Sequence, residues 1–242
     1  AGFDAAIYLQ EIGAMKNSGM APAKYRKPVG DETEAKQEYG KWLPEVYERY
    51  QSALRAANAV DFDDLLLLTL KLWREHPRIL ARYQQQFRYV MVDEYQDTNR
   101  VQYDLMLTLT AKHRNLCVVG DDDQSIYSWR GADIRNITGL ERDFPEAKIV
   151  RLEQNYRSSE TILNAANAVI ANNVHRREKQ LWSRLGTGRK IDWFVCGDAD
   201  HEAAEAVKWL EHIREKAHAK PADFAVWQIS HPNLTVVNVP FE

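Results

Sequence analysis

Two adjacent carboxylates follow an apolar run near the middle of the chain. Residues 89–92 are apolar, and Asp93 and Glu94 come directly after them. In an α/β protein this pattern predicts a buried strand that delivers both carboxylates to the edge of a sheet. One carboxylate can hold Mg²⁺ while its neighbour positions or deprotonates a water that attacks a phosphate. An acidic turn without chemistry has the same pattern, so the pair needs support from other residues.

A second apolar run ends in acidic residues at positions 116–124. Val118 and Val119 close the run, and Gly120 allows a sharp turn before three consecutive aspartates. Gln124 follows them with an amide that can contact a phosphate oxygen. Parallel strands end at the same edge of a sheet, so this junction supports a phosphate site there.

Aromatic side chains follow this junction. Tyr127 and Trp129 have the same parity, so in an extended segment both rings lie on one side, at a spacing suited to stacking on bases. Arg130 adds a cation beside them. The alternative is a loop whose aromatic residues fill the core.

A third junction lies at residues 148–159. The pattern predicts a strand that runs towards Arg157, followed by a helix capped by Ser158 or Ser159. Arg157 can reach a γ-phosphate, and Tyr156 offers a face for an adenine ring. The alternative for Arg157 is an ordinary surface ion pair.

The elements around these junctions form a helical segment followed by an α/β segment. Residues 1–86 are predicted to be mostly helical, with Pro44 near a helix start and Trp42 and Tyr50 in the core. Asp61 or Asp63 is expected to cap a Leu-rich helix, and Phe62 either packs as a hydrophobic staple or contacts a base.

From residue 87 to 155, strands alternate with helices, which predicts parallel strands covered by helices. Further helices and strands follow to the C-terminus, with predicted strands at 191–195 and 224–227. Residues 234–239 are an extra strand, an unrelated addition or a divergent loop.

Composition agrees with a globular protein. Of the 242 residues, 45% are apolar, and the net charge is −3, so any contact with nucleic acid depends on local placement of cations and rings. Cys117 and Cys196 lie far apart in strand-like runs, which favours reduced core thiols over a disulfide or a metal site. No segment has the pattern of a signal peptide or a membrane span.

The three junctions together resemble one family. Residues 93–97, 120–132 and 152–158 look like motifs II, III and IV of the UvrD/Rep/PcrA group of superfamily 1 helicases, and residues 60–66 match the pattern upstream of motif II. Within this group, the residues at 122–124 and 127–129 are most similar to those of the Rep members. The resemblance extends from about residue 41 to about residue 190.

The resemblance implies a role for each matching residue. In the nucleotide site, Asp93 coordinates Mg²⁺, Glu94 is the catalytic base, Gln124 contacts the γ-phosphate and couples the nucleotide to the DNA site, Arg157 also contacts the γ-phosphate, and Tyr156 packs on adenine. In the DNA site, the residues implied are Phe62, Tyr127, Trp129 and Arg130, of which Arg130 links the acidic motif to the DNA-binding loop.

The resemblance also implies an architecture. Residues 1–86 correspond to a helical accessory subdomain of the 1B type, residues 87–155 to the C-terminal part of a first RecA-like motor domain, and residues 156–242 to the start of a second, truncated one. The implied activity is ATP-dependent 3′–5′ movement on single-stranded DNA and duplex unwinding in the bacterial cytosol. The implied ligands are ATP, Mg²⁺, single-stranded DNA and single-strand/duplex junctions, together with replication or repair proteins.

One element of the family pattern is missing. No Gly-x-x-x-x-Gly-Lys-Ser/Thr phosphate loop occurs in the 242 residues, and motifs after motif IV are also absent. We therefore expect a piece of a larger helicase that has little ATPase activity by itself. The alternative is a non-catalytic module that binds DNA or a partner protein. A nuclease-associated relative of the RecB type fits less well, because no nuclease-style set of carboxylates is evident.

Overall fold

The computed structural model describes residues 4–22, 34–128, 131–173, 178–192, 194–218 and 220, together with strands at 225–228 and 235–238. At positions 34–39, 138 and 217, and in those two strands, only the backbone is described. The chain forms two compact units. The first comprises residues 1–153 and 168–180, and the second comprises residues 154–167 and 181–242.

Four helices in the first half confirm the helical prediction for the described part of residues 4–86. They are α1 (Ala5–Asn17), α2 (Glu34–Ala56), α3 (Phe62–Glu75) and α4 (Pro77–Gln86). Asp4 caps α1 by accepting a hydrogen bond from the N–H of Ala6. The buried cluster between α1 and α2 comprises Tyr8, Ile12, Met15, Leu43 and Tyr47.

Two expectations about α2 are wrong. Pro44 lies inside the helix rather than near its start, and Trp42 is 41% exposed rather than part of the core. Leu43 and Tyr47, four residues apart on one face, are buried against α1 instead. This packing stabilises the helix across the hydrogen bond that proline cannot donate. Trp42 is turned about 100° away from Leu43 around the helix axis, towards solvent.

The expected parallel pairing is present at the first two junctions. Strand β1 (Val90–Val92) pairs in parallel with β2 (Leu116–Val118), and Val92 lies opposite Val118. Helix α5 (Arg100–Thr110) connects them. As expected, it begins after Asn99, whose side chain forms a capping box with Gln102.

Only one face of this small sheet is covered. Tyr95, Tyr103 and Met106 form a buried cluster on which Val92 and Val118 pack. Met91 is 78% exposed, and Cys117 is also exposed, so the expectations of a fully buried strand and of a core thiol at Cys117 are wrong. Alternate strand residues point to opposite faces, and helices of the described chain pack on one face.

The remaining elements are short. Helix α6 (Arg135–Asp143) follows β2, and residues 148–153 form no strand, contrary to expectation. Strand β3 is only Gln154–Asn155, because only these residues find a partner, the parallel strand β4 (Trp182–Ser183). Helix α7 (Glu160–Ile170) lies between β3 and β4.

The C-terminal part begins with helix α8 (Ala199–Ala217). Strand β5 (Ala225–Gln228) pairs in antiparallel fashion with β6 (Thr235–Asn238), so residues 235–238 form the extra strand that was one of the alternatives. The strand expected at 191–195 is absent among its described residues, and Cys196 therefore lies in no strand. In the described chain, every helix is too short or too polar to cross a lipid bilayer.

Candidate functional site

The acidic pair lies at the edge where β1 and β2 both end. The two strands are parallel and in register, so the chain leaves both at this edge. Asp93 and Glu94 are both exposed there. Glu94 has φ 47° and ψ 45°, a left-handed conformation that costs an ordinary residue free energy and often marks a functional position. The N–H of Tyr95 then donates to the carbonyl of Val119, 2.9 Å away, which ties this turn to the end of β2.

Short contacts orient both carboxylates. Oδ1 of Asp93 accepts a hydrogen bond of 2.9 Å from the N–H of Glu94. Oε2 of Glu94 accepts a hydrogen bond of 2.7 Å from Nε2 of Gln96. Burial raises the pKa of Asp97, and the negative charge of Glu94 adds to this shift. The pair at positions 93 and 94 therefore lies in a region of concentrated negative charge.

Gln96 connects the two junctions. Its side chain is 1% exposed, and its Oε1 accepts a hydrogen bond of 2.9 Å from the N–H of Asp121. A Cβ atom at position 120 would lie 2.9 Å from that Oε1 and 3.1 Å from the Cβ of Tyr95. Gly120 is therefore needed for this close approach; its φ is not in the left-handed region.

The acidic loop after β2 is organised around Asp121. Its Oδ1 accepts from the N–H of Asp123, and its Oδ2 accepts a 2.9 Å hydrogen bond from Nε2 of Gln124. Lys179 donates to Asp121 through its Nζ and forms ion pairs of 3.4 Å with Asp122 and 3.1 Å with Asp123. The three carboxylates have oxygens within 4.8 Å of one another, and the lysine charge compensates part of their repulsion.

The pKa shifts reflect this pairing. Burial by itself would raise the pKa of Asp121, but hydrogen bonds from Lys179 and Gln124 outweigh burial and lower it below its ordinary value. Burial would likewise lower the pKa of Lys179, but its bonds to Asp121 and Asp123 raise it. Both groups are therefore charged at neutral pH.

Phe62 lies at the start of α3 with 89% of its surface exposed, so it is not a hydrophobic staple. Asp61 caps the helix, as expected, by accepting a 2.8 Å hydrogen bond from the N–H of Asp64. Lys16, which is fully buried, forms ion pairs with both Asp61 and Asp64. This cluster fixes the backbone on both sides of Phe62.

Tyr127 lies at the start of a loop that backbone hydrogen bonds close. The N–H of Gly131 donates to the carbonyl of Ser128, and the N–H of Ala132 donates to the carbonyl of Tyr127. The expected placement of the Tyr127 and Trp129 rings on one side stays a prediction. Tyr127 is 37% exposed, so its ring is not sealed in the core. Trp129 and Arg130 lie outside the described residues.

Tyr156 and Arg157 belong to the second unit. Both are exposed, and the backbone N–H groups of Arg157 and Ser158 donate to Oδ1 of Asn155. The first helical N–H groups of α7 donate to the carbonyls of Gly186 and Thr187. The backbone that carries an exposed ring and an exposed guanidinium is thus fixed just before α7.

The described structure places Asp93, Glu94 and Gln124 at one sheet edge, linked through Gln96 and Asp121. The convergence of Arg157 on the same site stays a prediction. Sequence reasoning missed Gln96, Lys179 and Lys16. The position of Gln96 two residues after Glu94 was a usable signal, whereas nothing around the two lysines distinguished them from surface cations.

Comparison with known proteins adds an independent result. Residues 4–145 match the model of the UvrD/REP helicase N-terminal domain, and residues 150–228 match the UvrD-like helicase C-terminal domain. The chain is 44% identical over 224 residues to a Leuconostoc citreum protein named ATP-dependent DNA helicase PcrA. The alignment covers 93% of this chain and 29% of that protein.

Two staphylococcal proteins of the same name are similarly related. The Staphylococcus aureus (strain Mu50) protein is 47% identical over 206 residues, and the Staphylococcus epidermidis protein is 45% identical over 206 residues. In both cases the alignment covers 85% of this chain and 27% of the relative. The chain thus spans less than a third of the length of these relatives.

Proposed function

The chain belongs to the UvrD/REP helicase family, and on this premise we propose that it works as part of a longer ATP-dependent DNA helicase. In this proposal, ATP hydrolysis drives 3′–5′ movement along single-stranded DNA and unwinds the duplex at single-strand/duplex junctions. Replication or repair proteins are its expected partners. The observation that carries the proposal is the sheet edge at which Asp93, Glu94 and the Gln124 loop are joined by a series of hydrogen bonds through the buried side chain of Gln96.

The donor set at this edge fits Mg²⁺. Asp93 and Glu94 are exposed and offer carboxylate oxygens, the ligand type that Mg²⁺ prefers. Asp93 is the proposed metal ligand, because its Oδ1 is oriented by the N–H of Glu94. When bound, the ion neutralises charge on the phosphate oxygens and orients them for in-line attack.

Glu94 is the proposed base that accepts a proton from the attacking water. Gln96 orients the carboxylate of Glu94 by donating a hydrogen bond from Nε2 to Oε2. The base therefore has a fixed orientation before substrate binds. Gln124 and Arg157 are the proposed contacts to the γ-phosphate, and Tyr156 the proposed platform for adenine. The exposure of Tyr156, 78%, leaves its ring face open to a ligand.

The proposed DNA contacts are aromatic rings next to a cation, namely Phe62, Tyr127, Trp129 and Arg130. Phe62 is the most exposed large apolar side chain that the structure describes. An exposed ring of this kind is available to a ligand, and bases stack well on aromatic faces. With a net charge of −3, the chain has no general attraction to DNA, which makes such local contacts necessary.

We further propose the domain arrangement that the family resemblance implies. Residues 1–86 would be a 1B-like helical subdomain, residues 87–155 the C-terminal part of a first RecA-like motor domain, and residues 156–242 the start of a second one. The parallel pairing of β1 with β2 supports a parallel sheet in the first motor part, and β4 of the second part pairs in parallel with β3 at the proposed boundary.

The proposal is tested by ATPase assays on the longer helicase, with Glu94→Gln as the key variant. We expect single-stranded DNA to stimulate hydrolysis, and Glu94→Gln to lower kcat at least about a hundredfold while MgATP still binds. The matched control is Glu141→Gln, which changes an exposed residue of α6 outside the site and should leave kcat unchanged. Full activity in Glu94→Gln would contradict the assignment of the base.

The absence of a phosphate-loop motif from these 242 residues favours a second candidate for the isolated chain. By itself, it would bind single-stranded DNA or a partner protein without turning over ATP. Fluorescence anisotropy with a labelled oligo-dT, followed by an ATPase assay of the same sample, distinguishes the two. Robust hydrolysis by the isolated chain, abolished by Glu94→Gln, would rule out the non-catalytic candidate.

A further inference from the structure

The side chain of Gln96 is placed to act on two parts of the proposed catalytic site at once. It is buried to 1% exposure, and each end of its amide has one partner. Nε2 donates to Glu94 at 2.7 Å, while Oε1 accepts from the N–H of Asp121 at 2.9 Å. A buried amide with both ends satisfied in this way is held in a single orientation.

The connection continues beyond Asp121. Oδ2 of Asp121 accepts a hydrogen bond from Nε2 of Gln124, so an unbroken series of contacts runs from Glu94 through Gln96 and Asp121 to Gln124. Glu94 belongs to the acidic pair and Asp121 to the acidic loop, and the glutamines follow them by two and three residues. A displacement at one end therefore reaches the other end through contacts that are short and directional.

There is little room for an alternative arrangement. A Cβ at Gly120 would lie within 2.9 Å of Oε1 of Gln96 and 3.3 Å of its backbone nitrogen, so the β2 end packs directly on the amide. The neighbouring Tyr95 is 2% exposed, and its Cβ would lie 3.1 Å from a Cβ at position 120, so it packs at the same point. Glu94 itself is held in a left-handed backbone conformation, and its side-chain direction depends on the bond from Gln96.

We propose that Gln96 is a positioning residue that couples Glu94 to the loop containing Gln124, so that contact of Gln124 with the γ-phosphate sets the orientation of the base. This inference rests on the proposed function and adds to it a residue that touches neither substrate nor metal. A displacement of either Glu94 or the loop would move the other, because both hydrogen bonds of Gln96 are made by the same rigid amide plane.

The test compares ATP hydrolysis by the longer helicase, with and without single-stranded DNA, in wild type and in Gln96→Met. Methionine has nearly the same volume but neither donor nor acceptor. We expect kcat to fall at least about tenfold, KM for ATP to change less than about threefold, and stimulation by DNA to be largely lost. The matched control is Gln102→Met, which removes the hydrogen bond from the N–H of Asn99 to the Gln102 side chain and so half of the capping box of α5. Loss of this bond lowers the free energy of unfolding but leaves the contacts of Glu94 and Gln124 in place, so kcat and the stimulation by DNA should both persist.

Gln96→Glu supplies a second measurement. A protonated carboxyl at position 96 can donate to Glu94, whereas an ionised one repels it, so the activity of this variant relative to wild type should rise as the pH falls. Normal kcat and normal DNA stimulation in Gln96→Met would overturn the inference and leave the proposed function standing. An unaltered pH profile in Gln96→Glu would also overturn it. A wild-type protein without DNA-stimulated ATPase activity would overturn the proposed function and this inference together.

Discussion

Nζ of Lys16 in α1 lies 2.5 Å from Oδ2 of Asp61, the residue directly before the exposed ring of Phe62. The lysine has no exposed surface, and it also pairs with Asp64 at 2.8 Å and with Oε1 of Gln51 at 2.9 Å. A charge cluster centred on a fully buried lysine thus supports the most exposed aromatic side chain of the described structure. Core packing and the proposed DNA contact are connected at this point.

Replacing Lys16 by methionine should therefore strongly destabilise the first unit. The change leaves the buried carboxylate of Asp64 and the partly exposed carboxylate of Asp61 without a cation, and loss of the partner of a buried charge costs about 3–5 kcal/mol. Urea unfolding followed by circular dichroism measures the loss. Adding Asp64→Asn should recover part of it, because one of the two uncompensated charges is then gone. A loss below about 0.5 kcal/mol would show that the cluster is open to solvent.

Phe62→Ala should separate binding from stability. The ring is 89% exposed, so we expect the free energy of unfolding to change by less than about 0.5 kcal/mol. Binding of single-stranded DNA should weaken by about 1–3 kcal/mol if the ring stacks on a base. Fluorescence anisotropy with oligo-dT measures the affinity. Tyr89→Ala is the matched control, since that ring is 80% exposed and lies outside the proposed contacts. Equal losses in both variants would argue against a specific role for Phe62.

Lys179→Met should lower the stability of the protein through charge repulsion in the acidic loop. Removing the ammonium leaves three aspartates close together, and we expect a loss of about 1–3 kcal/mol at neutral pH, between the values for exposed and buried pairs. Lys208→Met, at an exposed pair with Glu205, is the control and should cost less than about 0.5 kcal/mol. Equal losses in the two variants would contradict the role assigned to Lys179.

The ion pair of Lys179 with Asp121 also predicts that stability depends on pH. The pKa of Asp121 is lowered from its ordinary value of 3.8 in the folded protein, so its ionised form stabilises the fold above that pH. This contribution is lost as the pH falls through the lowered value. Thermal unfolding of the wild type should therefore show a decrease in Tm below about pH 4, and the decrease should be smaller in Lys179→Met. Parallel curves for the two proteins would contradict this assignment.

Gly120→Ala should destabilise the sheet edge. The added Cβ would meet Oε1 of Gln96 at 2.9 Å and the Cβ of Tyr95 at 3.1 Å, and overpacking of this kind costs about 1–3 kcal/mol. Gly139→Ala in α6 is a control of opposite sign. Its Cβ would meet only ordinary contacts, the nearest at 3.5 Å, so helix propensity should stabilise it by about 0.5–1 kcal/mol. Chemical denaturation of both variants gives the comparison, and a neutral Gly120→Ala would contradict the close packing.

The sequence by itself determined the features that depend on local pattern. The apolar runs before Asp93 and Asp121 predicted strands, and the Asn99 and Asp61 side chains predicted helix starts, because caps and strand ends are encoded by neighbouring residues. The order of the three junctions was sufficient to predict the family. Expectations failed where burial depended on distant elements, as for Trp42, Met91 and Cys117.

Only the tertiary structure identified Gln96, Lys16 and Lys179. Their roles depend on partners far along the chain, 25 residues away for Gln96 and Asp121, 48 for Lys16 and Asp64, and 58 for Lys179 and Asp121. Periodicity and capping rules describe neighbours within a few residues, so they contain no information about such pairs. Which charge is buried, and which carboxylate it meets, is decided when the helices and strands pack and remove water from between them.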